Sequence, residues 1–219
     1  MFLRAVALLK CYVVLYIFCS CKSILLSFCK IFLTLQKIYQ YMSTIKVRDK
    51  EFSIFMTEDE IKAQVRKMAE QMNHDFAGKK PLFIAVLSGS FIFAADLMRY
   101  INIPCEIEFV RVSSYEGTST TGQVKQLLGL KEDITDRYVV IVEDIIDSGL
   151  TMKELLQILK DKGAADIKIA SLLVKPDNLR VELDIPYKCF EIPNDFILGY
   201  GLDYDGEGRN LKDIYKVVD

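Results

Sequence analysis

The sequence predicts an α/β fold with a mostly parallel β-sheet, and two observations support this class. From Met42 onward, short apolar runs alternate with longer segments of helical periodicity, which is the pattern of strands joined by crossover helices. About half of the 219 residues are apolar and 26% are charged, a composition typical of a folded globular chain and not of a disordered one. No internal repeat or low-complexity tract interrupts the alternation.

The first predicted helix begins at a capping box formed by Thr57 and Glu60. In this motif the Thr side chain accepts a hydrogen bond from a free backbone N–H at the helix start, and the Glu side chain reaches back to the cap. Apolar residues then recur at helical spacing: Ile61, Val65, Met68 and Met72. The helix is expected to run to about Phe76, with Gly78 as the expected stop.

The remaining elements follow the same alternation as far as Pro176. They are a buried strand at 81–87, a turn at 88–90 that opens a helix to about residue 100, a half-exposed strand at 106–112, a buried strand at 138–142, a helix at 151–162 and an apolar strand at 167–174. The polar stretch 113–125, rich in Gly, Ser and Thr, is long for a connection and is typical of a lid or binding loop. Beyond Pro176 the regular alternation ends.

Charge is unevenly distributed along the chain. Residues 1–41 contain five basic residues and no acidic one, whereas residues 42–219 contain 23 basic and 30 acidic residues, a net charge of −7. An acidic domain argues against a broad nucleic-acid-binding surface, which needs clustered positive charge. The single histidine, His74, excludes a His-rich zinc site and is expected to face solvent late in the first helix.

Residues 1–41 are an apolar, basic leader that contains four of the six cysteines. Its longest uncharged run, Cys11–Cys21, has eleven residues, which is too short for a transmembrane helix but fits the apolar core of a signal peptide, although no clean cleavage site follows. Three alternatives remain open: translation starts at Met42, the leader is a membrane-associating or signal-like extension, or it is part of the folded domain. Cys105 and Cys189 are expected to be reduced thiols of the 42–219 domain.

The chemistry is concentrated in the segment Val139–Thr151, VVIVEDIIDSGLT. A hydrophobic strand is predicted to end in two adjacent carboxylates, Glu143 and Asp144, and the loop 147–151 then opens a helix; ligands of such sheets bind at the carboxyl ends of strands. Successive backbone N–H groups, two hydroxyls and a helix N-terminus suit a phosphate monoester, and the spacing is not that of a Walker A loop. Carboxylates suit a sugar diol or Mg²⁺, so the pattern indicates a ribose 5-phosphate site.

This segment resembles the signature of the type I phosphoribosyltransferases, and ED-x-x-D-[ST]-G-x-T is typical of their hypoxanthine–guanine branch. The resemblance extends over nearly all of 42–219. It implies a parallel-sheet phosphoribosyltransferase core with a small hood subdomain from the segments after Met42 and after Pro176. It also implies a cytoplasmic, Mg²⁺-dependent enzyme of purine salvage, whose substrates are phosphoribosyl pyrophosphate and a 6-oxopurine base and whose products are IMP or GMP and pyrophosphate.

The resemblance also implies roles for individual residues. The 5-phosphate is expected to bind Asp147, Ser148, Gly149, Leu150 and Thr151. Pyrophosphate is expected to bind Leu87, Ser88, Gly89, Ser90 and Arg209. The purine is expected to contact Lys175 at its 6-oxo group, Phe196 by stacking and the backbone of Ile197.

Three further roles concern catalysis and closure. Asp147 is the expected catalytic base for a proton of the purine, because it would lie near N7. Glu143 and Asp144 are expected at the ribose diol or a metal ion, with Asp203 as a further metal ligand, and Ser114 and Tyr115 begin the expected mobile loop. In isolation a lysine at a strand end is usually solvated and a phenylalanine in an apolar run is usually core; only the pattern assigns Lys175 and Phe196 to the site.

Two positions depart from the pattern of some relatives, which have lysines where Ser88 and Leu150 stand. Both changes remove charge near the phosphates, so the contribution at Ser88 is expected to come from the main chain. Family members often have a cis peptide at this position, and one is expected between Leu87 and Ser88.

Two alternatives to this activity remain open. The first is a regulator with the phosphoribosyltransferase fold that binds nucleotides or RNA without significant catalysis; the acidic domain and the intact carboxylates speak against it. The second is an enzyme that prefers xanthine or another base. For the 42–219 domain we expect a homodimer or homotetramer, with no nucleic-acid or membrane partner.

Overall fold

The computed structural model describes residues 44–114 and 124–218. The strands are β1 (Thr44–Val47), β2 (Lys50–Met56), β3 (Leu82–Leu87), β4 (Glu106–Ser114), β5 (Val124–Leu128), β6 (Tyr138–Ile146), β7 (Asp166–Val174), β8 (Tyr187–Glu191), β9 (Ile197–Leu198) and β10 (Ile214–Val217). The helices are α1 (Glu58–Asp75), α2 (Phe91–Tyr100) and α3 (Leu150–Asp161), and a 3₁₀ turn spans Pro176–Asn178. The predicted leader 1–41, the predicted start at Met42 and the loop residue Tyr115 lie outside the described residues.

The larger sheet has six strands in the order β5-β4-β3-β6-β7-β8. Strands β4, β3, β6, β7 and β8 are parallel to their neighbours in this order, and only β5, at the edge, is antiparallel to β4. The predicted α/β class with a mostly parallel sheet is therefore confirmed. Because β3, β6 and β7 are adjacent, the segments that follow their carboxyl ends are neighbours in space.

Both faces of this sheet are covered, as the continuous apolar runs of its central strands require. In β3, Phe83 and Ala85 pack towards α1 and α2, whereas Leu82 and Ile84 pack towards α3. The capping box predicted at the start of α1 is present, and His74 near its end has a side chain that is 90% exposed, as expected. No helix within the described residues is long and apolar enough to cross a membrane.

A second, smaller sheet has the strand order β1-β2-β10-β9. Its strands come from the beginning and the end of the described chain, which are the segments predicted to form the hood. Phe52, Leu198 and Tyr215 form its small buried core. The segment between β9 and β10, residues 199–213, belongs to this hood and leads back towards the larger sheet.

Two predicted boundaries were wrong. Strand β6 does not end before Glu143 but continues to Ile146, because β7 offers a parallel partner as far as the pair Ile146–Val174. The polar stretch 113–125 is not a loop throughout, because its first two residues end β4 and its last two begin β5, which pairs antiparallel with β4. Ladder hydrogen bonds to a neighbouring strand outweigh a polar composition in both cases.

A buried hydrogen bond joins the hood to helix α2. The Tyr200 hydroxyl donates to Asp96 Oδ2 at 2.7 Å, and the two residues are only 2% and 9% exposed. Burial raises the pKa of the Tyr200 hydroxyl, and the hydrogen bond to Asp96 adds to this effect, so the hydroxyl stays a neutral donor. Two charged side chains also act near Asp96: Arg99, whose Nη1 lies 3.6 Å from Oδ1, and Lys62.

We expect Tyr200→Phe to lower the free energy of unfolding by about 1–3 kcal/mol, because a buried carboxylate loses its donor. Urea unfolding followed by circular dichroism measures this loss. Tyr100→Phe, at an exposed tyrosine at the end of α2, is the matched control and should change stability by no more than about 0.5 kcal/mol. Equal losses in the two variants would contradict a special contribution from the Tyr200–Asp96 bond.

Candidate active site

Three segments that follow adjacent strands of the larger sheet meet at the carboxyl ends of those strands. They are the turn 88–90 after β3, the loop 147–149 between β6 and α3, and residues 175–178 after β7. The hood adds a fourth segment, residues 194–209, which follows β8. Most of the predicted site residues that the structure describes lie on these segments or at the strand ends that precede them; Leu150 and Thr151 open α3, and Ser114 ends β4.

The loop after β6 turns sharply into the N-terminus of α3. Gly149 has a φ of 76°, and a Cβ at this position would lie 2.8 Å from Leu183 Cδ1, so only glycine fits without a shift of that side chain. Leu150 and Thr151 are exposed in the first helical turn, and the Ser148 hydroxyl accepts a weak hydrogen bond from the Leu150 N–H at 3.5 Å. The loop therefore presents the free N–H groups of a helix N-terminus, which attract an anion.

Glu143 and Asp144 lie in the second half of β6, and their charges interact. Burial raises the pKa of the Glu143 carboxyl well above its ordinary value, and the charge of Asp144 and a hydrogen bond with it add to this effect. Burial also raises the pKa of Asp144, against the opposing effects of its hydrogen bonds and of the Arg209 charge. Both pKa values are shifted in the same direction, so the neutral form of each carboxyl persists to higher pH than it would in water.

The turn after β3 packs directly against Asp144. A Cβ at Gly89 would lie 1.6 Å from Asp144 Oδ2, and a Cβ at Gly201 of the hood would lie 2.1 Å from the Gly89 carbonyl oxygen. Asp144, Gly89 and Gly201 thus form a stack with no space for a side-chain carbon. The peptide bond between Leu87 and Ser88 is cis, as expected.

The two serines of this turn have different surroundings. Ser90 is fully buried, and its hydroxyl donates to the Val86 carbonyl at 2.6 Å, so its side chain closes the turn and is not available to a ligand. Ser88 is partly exposed, and its hydroxyl accepts a hydrogen bond from Arg111 Nη2 at 3.4 Å. Arg111 comes from the neighbouring strand β4 and was not predicted as a site residue. It brings a positive charge to the turn at which a lysine is absent.

Asp147 and Lys175 are paired across the ends of β6 and β7. Lys175 Nζ lies 3.2 Å from Asp147 Oδ2, and its side chain is only 10% exposed, so Lys175 is not the solvated surface lysine that a strand end usually has. Partial burial raises the pKa of Asp147, but hydrogen bonds from Asn178 and Lys175 and the charges of Lys175 and Arg180 outweigh this and hold the pKa of that carboxyl below its ordinary value. Asp147 is therefore an ionised acceptor at neutral pH.

Phe196 stands at the edge of the hood and is 42% exposed, so it is not an ordinary core residue. Its ring contacts Tyr204 edge-on, with centroids 5.3 Å apart and planes at 80°, and Lys50 Nζ lies 5.2 Å from the Phe196 centroid. These neighbours hold the plane of the ring. Ile197, the next residue, is buried in β9.

Asp203 and Arg209 form an ion pair in the hood. Arg209 Nη2 lies 2.7 Å from Asp203 Oδ1, and the Gly206 N–H donates to Asp203 Oδ2 at 2.7 Å. Arg209 Nη1 donates to the Gly201 carbonyl at 2.7 Å, which places the guanidinium next to the glycine stack. Arg209, which was predicted at the leaving group, and Asp203, which was predicted at the metal, are therefore in contact.

Glu143, Asp144 and Asp203 are the carboxylates predicted to hold a metal ion. Within the part of the chain that the structure describes, no three His, Cys, Asp or Glu side chains cluster closely enough to hold a metal ion, so Glu143, Asp144 and Asp203 do not form one such group. Mg²⁺ in nucleotide enzymes is commonly held by one or two carboxylates, with water and substrate oxygens completing the shell. The oxygen donors present fit an ion of that kind, which is bound largely by the substrate.

Several residues of the site were missed at the sequence level, and they share one property: their role depends on a partner distant in the chain. They are Arg111 beside Ser88, Asn178 and Asn194 beside Asp147, and Lys50 and Tyr204 beside Phe196. Asn178 stands three residues after Lys175, and this short spacing is the only sequence signal that could have found it. Ser114 is the last residue of β4, and its predicted place in a mobile loop stays a prediction.

Comparison with known proteins agrees with this geometry. Residues 56–205 match the family model described as a phosphoribosyl transferase domain. The chain is 43% identical over 159 residues to the hypoxanthine-guanine phosphoribosyltransferase of Streptococcus pneumoniae and 45% identical to that of Streptococcus pyogenes (strain MGAS315); each match covers 72% of this chain and 88% of the relative.

Solved structures show the same likeness in three dimensions. A hypoxanthine-guanine phosphoribosyltransferase from Bacillus anthracis superposes with a TM-score of 0.68 at 39% identity, covering 76% of this chain and 97% of the other. The hypoxanthine phosphoribosyltransferase of Trypanosoma cruzi, a point mutant in a ternary substrates complex, superposes with a TM-score of 0.71 at 38% identity, covering 75% and 94%. The sheet, the site segments and these matches together show that the chain belongs to the phosphoribosyl transferase family.

Proposed function

We propose that this chain transfers the 5-phosphoribosyl group of phosphoribosyl pyrophosphate to hypoxanthine or guanine and so forms IMP or GMP and pyrophosphate. The observation that supports this most directly is the Lys175–Asp147 pair beside the helix N-terminus of the 147–151 loop. In this arrangement Lys175 would donate to a 6-oxo group and the ionised Asp147 would accept a purine proton, next to a loop that would bind phosphate. The relatives named for this activity support the same conclusion.

The sugar phosphate would bind at the end of β6. Backbone N–H groups of residues 148–151 and the hydroxyls of Ser148 and Thr151 would hold the 5-phosphate at the N-terminus of α3. Glu143 and Asp144 would accept hydrogen bonds from the ribose hydroxyls. When bound, Mg²⁺ held by Glu143 or Asp144 and by Asp203 would neutralise charge on the diphosphate.

The leaving group would lie at the turn after β3. As the bond from C1′ to the purine nitrogen forms, the bond from C1′ to the pyrophosphate oxygen breaks, and pyrophosphate departs with the electron pair. Backbone groups of Leu87, Ser88, Gly89 and Ser90 would face the departing oxygens, and Arg209 and Arg111 would add positive charge. Arg111 would supply part of the positive charge that is absent because Ser88 stands where some relatives have a lysine.

The purine would lie between the hood and the end of β7. Phe196 would stack on the ring, and the backbone of Ile197 would border it. Lys175 would donate to the 6-oxo group, and the proton that leaves N7 would pass to Asp147. Adenine has an amino donor at position 6, so Lys175 would disfavour it.

We include in the proposal the homodimer or homotetramer and the cytoplasmic location that the family resemblance implies. Within the described residues Cys105 and Cys189 form no disulfide, which supports a reducing compartment such as the cytoplasm.

The proposal is tested by incubating the purified full chain with phosphoribosyl pyrophosphate, Mg²⁺ and one purine base at a time. Chromatography of the products should show IMP from hypoxanthine and GMP from guanine, and little AMP from adenine. Absence of product with every base would favour a non-catalytic nucleotide-binding regulator. Product from xanthine alone would overturn the assigned base specificity.

Asp147→Asn should lower kcat by about 10²–10⁴-fold while KM for phosphoribosyl pyrophosphate stays within about twofold, because the amide cannot take the proton. Steady-state kinetics with hypoxanthine measure both constants. Asp161→Asn, at an exposed carboxylate at the far end of α3, is the matched control and should keep the wild-type constants. A raised KM with unchanged kcat would assign Asp147 to binding and not to proton transfer.

Lys175→Ala should lower the preference for hypoxanthine over adenine, expressed as the ratio of kcat/KM values, by at least about tenfold. The reason is the loss of the donor that matches a 6-oxo group and opposes a 6-amino group. The ratio is the proper measurement, because this variant also removes a partner of Asp147 and so lowers both rates. Lys188→Ala, at an exposed lysine of β8, is the control, and an unchanged ratio in Lys175→Ala would refute the specificity role.

A further inference from the structure

Asn178 makes two hydrogen bonds beside the proposed base. Its Nδ2 donates to Asp147 Oδ1 at 2.9 Å and to Asn194 Oδ1 at 2.6 Å. The side chain is presented by the 3₁₀ turn after β7, in which the Asn178 N–H donates to the Lys175 carbonyl at 3.1 Å. These groups line a polar cleft of about 380 Å³ that also includes Ser148 and Arg180.

The network determines which way the amide of Asn178 faces. A primary amide has two N–H donors, and both of its partners here, a carboxylate oxygen and an amide oxygen, can only accept. The oxygen of Asn194 is identified in turn by Lys175 Nζ, which lies 3.5 Å away and can only donate. Both donors of Asn178 are therefore committed to groups of the protein.

The two oxygens of Asp147 have different partners. Oδ1 is held by Asn178, which makes a short contact with it from a compact side chain on a tight turn. Oδ2 is contacted by Lys175 at 3.2 Å, a longer contact from a flexible side chain. Lys175 can turn from Oδ2 to another acceptor without disturbing the backbone, whereas Asn178 has no such freedom.

We infer that Asn178 is a positioning residue that holds Oδ1 of Asp147 and leaves Oδ2 as the oxygen that takes the purine proton. This inference rests on the proposed function. When a 6-oxopurine enters, Lys175 transfers its hydrogen bond from Oδ2 to the 6-oxo group, and Oδ2 is released towards N7. Asn178 keeps the carboxylate from rotating while this exchange takes place.

The charged groups that act on Asp147 are Lys175 and Arg180, and both favour the ionised carboxylate. The Asn178 donor acts in the same direction, so its removal raises the pKa of Asp147. The form that accepts the proton exists above this pKa. The acid limb of the kcat/KM profile, which reports free enzyme, should therefore move to higher pH when Asn178 is replaced.

The test compares the wild-type full chain with Asn178→Ala and Asn178→Asp, the second of which keeps the shape of the side chain but replaces its donor by a like charge. Carbon-13 NMR of the aspartate carboxyls without substrate gives the titration of Asp147, with Asp147→Asn for assignment. Kinetics with hypoxanthine give kcat, KM and the pH profile. A third variant, Asn178→Ser, keeps a short donor and serves if either of the others fails to fold.

We expect Asn178→Ala to lower kcat by about five- to tenfold, the size of one hydrogen bond's contribution, with KM for phosphoribosyl pyrophosphate within about twofold. The Asp147 titration and the acid limb should both rise, by more in Asn178→Asp than in Asn178→Ala. Asn178→Ser should recover part of the wild-type values. The matched control is Asn73→Ala, which also removes two asparagine hydrogen bonds, to Tyr100 and Asn102, away from the site; it should leave the titration and the profile unchanged.

Failure of the inference and failure of the proposed function give different results. If the wild-type chain forms nucleotide but the Asn178 variants keep its kcat and acid limb, Asn178 does not position the base. If the wild-type chain forms no nucleotide, the proposed activity is wrong. In that case, a changed pKa of Asp147 in the Asn178 variants would show only that the hydrogen bond between the two residues exists. The positioning role would then be overturned together with the activity.

Discussion

The rest of the site depends on the stack formed by Asp144, Gly89 and Gly201. It joins strand β6, the turn after β3 and the hood at distances that exclude even one added carbon atom. The hood reaches this point because Tyr200, the neighbour of Gly201, is anchored to Asp96 of α2 by a buried hydrogen bond. Arg209 then donates to the Gly201 carbonyl, so the guanidinium is held at the edge of the same stack. This backbone approach brings β6, the turn after β3 and the hood together at one point.

The electrostatics of the site divide its carboxylates into two kinds. Burial raises the pKa of Glu143 and of Asp144, and the charge of Asp144 adds to the effect on Glu143. Asp147, only three residues later, has a lowered pKa because Lys175, Arg180 and Asn178 outweigh the effect of its partial burial. This difference in pKa fits the proposed roles. Glu143 and Asp144 would meet neutral ribose hydroxyls or a metal cation, whereas Asp147 would accept a proton. Neighbours in the chain thus differ in chemistry because they face different strands.

Much of the fold and part of the site could be predicted from the sequence. The class of the sheet, helix α1 with its capping box at Thr57, and the loop between β6 and α3 follow from local patterns, which act within a few residues. The ends of β4 and β6 could not be predicted, because a strand continues for as long as its neighbour offers hydrogen bonds. Arg111, Asn178 and Tyr204 were missed for a similar reason. Each acts on a residue of another segment, and only Asn178, three residues after Lys175, stands at a spacing that could have indicated it.

The sequence by itself determined the chemistry that this protein has available: a glycine-containing loop before a helix, three carboxylates, a lysine at a strand end and an aromatic candidate. These are properties of residue types and short spacings, and they already identify a family resemblance. Only the tertiary structure decided how the groups are coupled, which includes the burial of Lys175, the pairing of Asp203 with Arg209 and the separate partners of the two Asp147 oxygens. The physical reason is that pKa values, hydrogen-bond partners and steric exclusion depend on distances through space, and those distances are set by the packing of strands and hood.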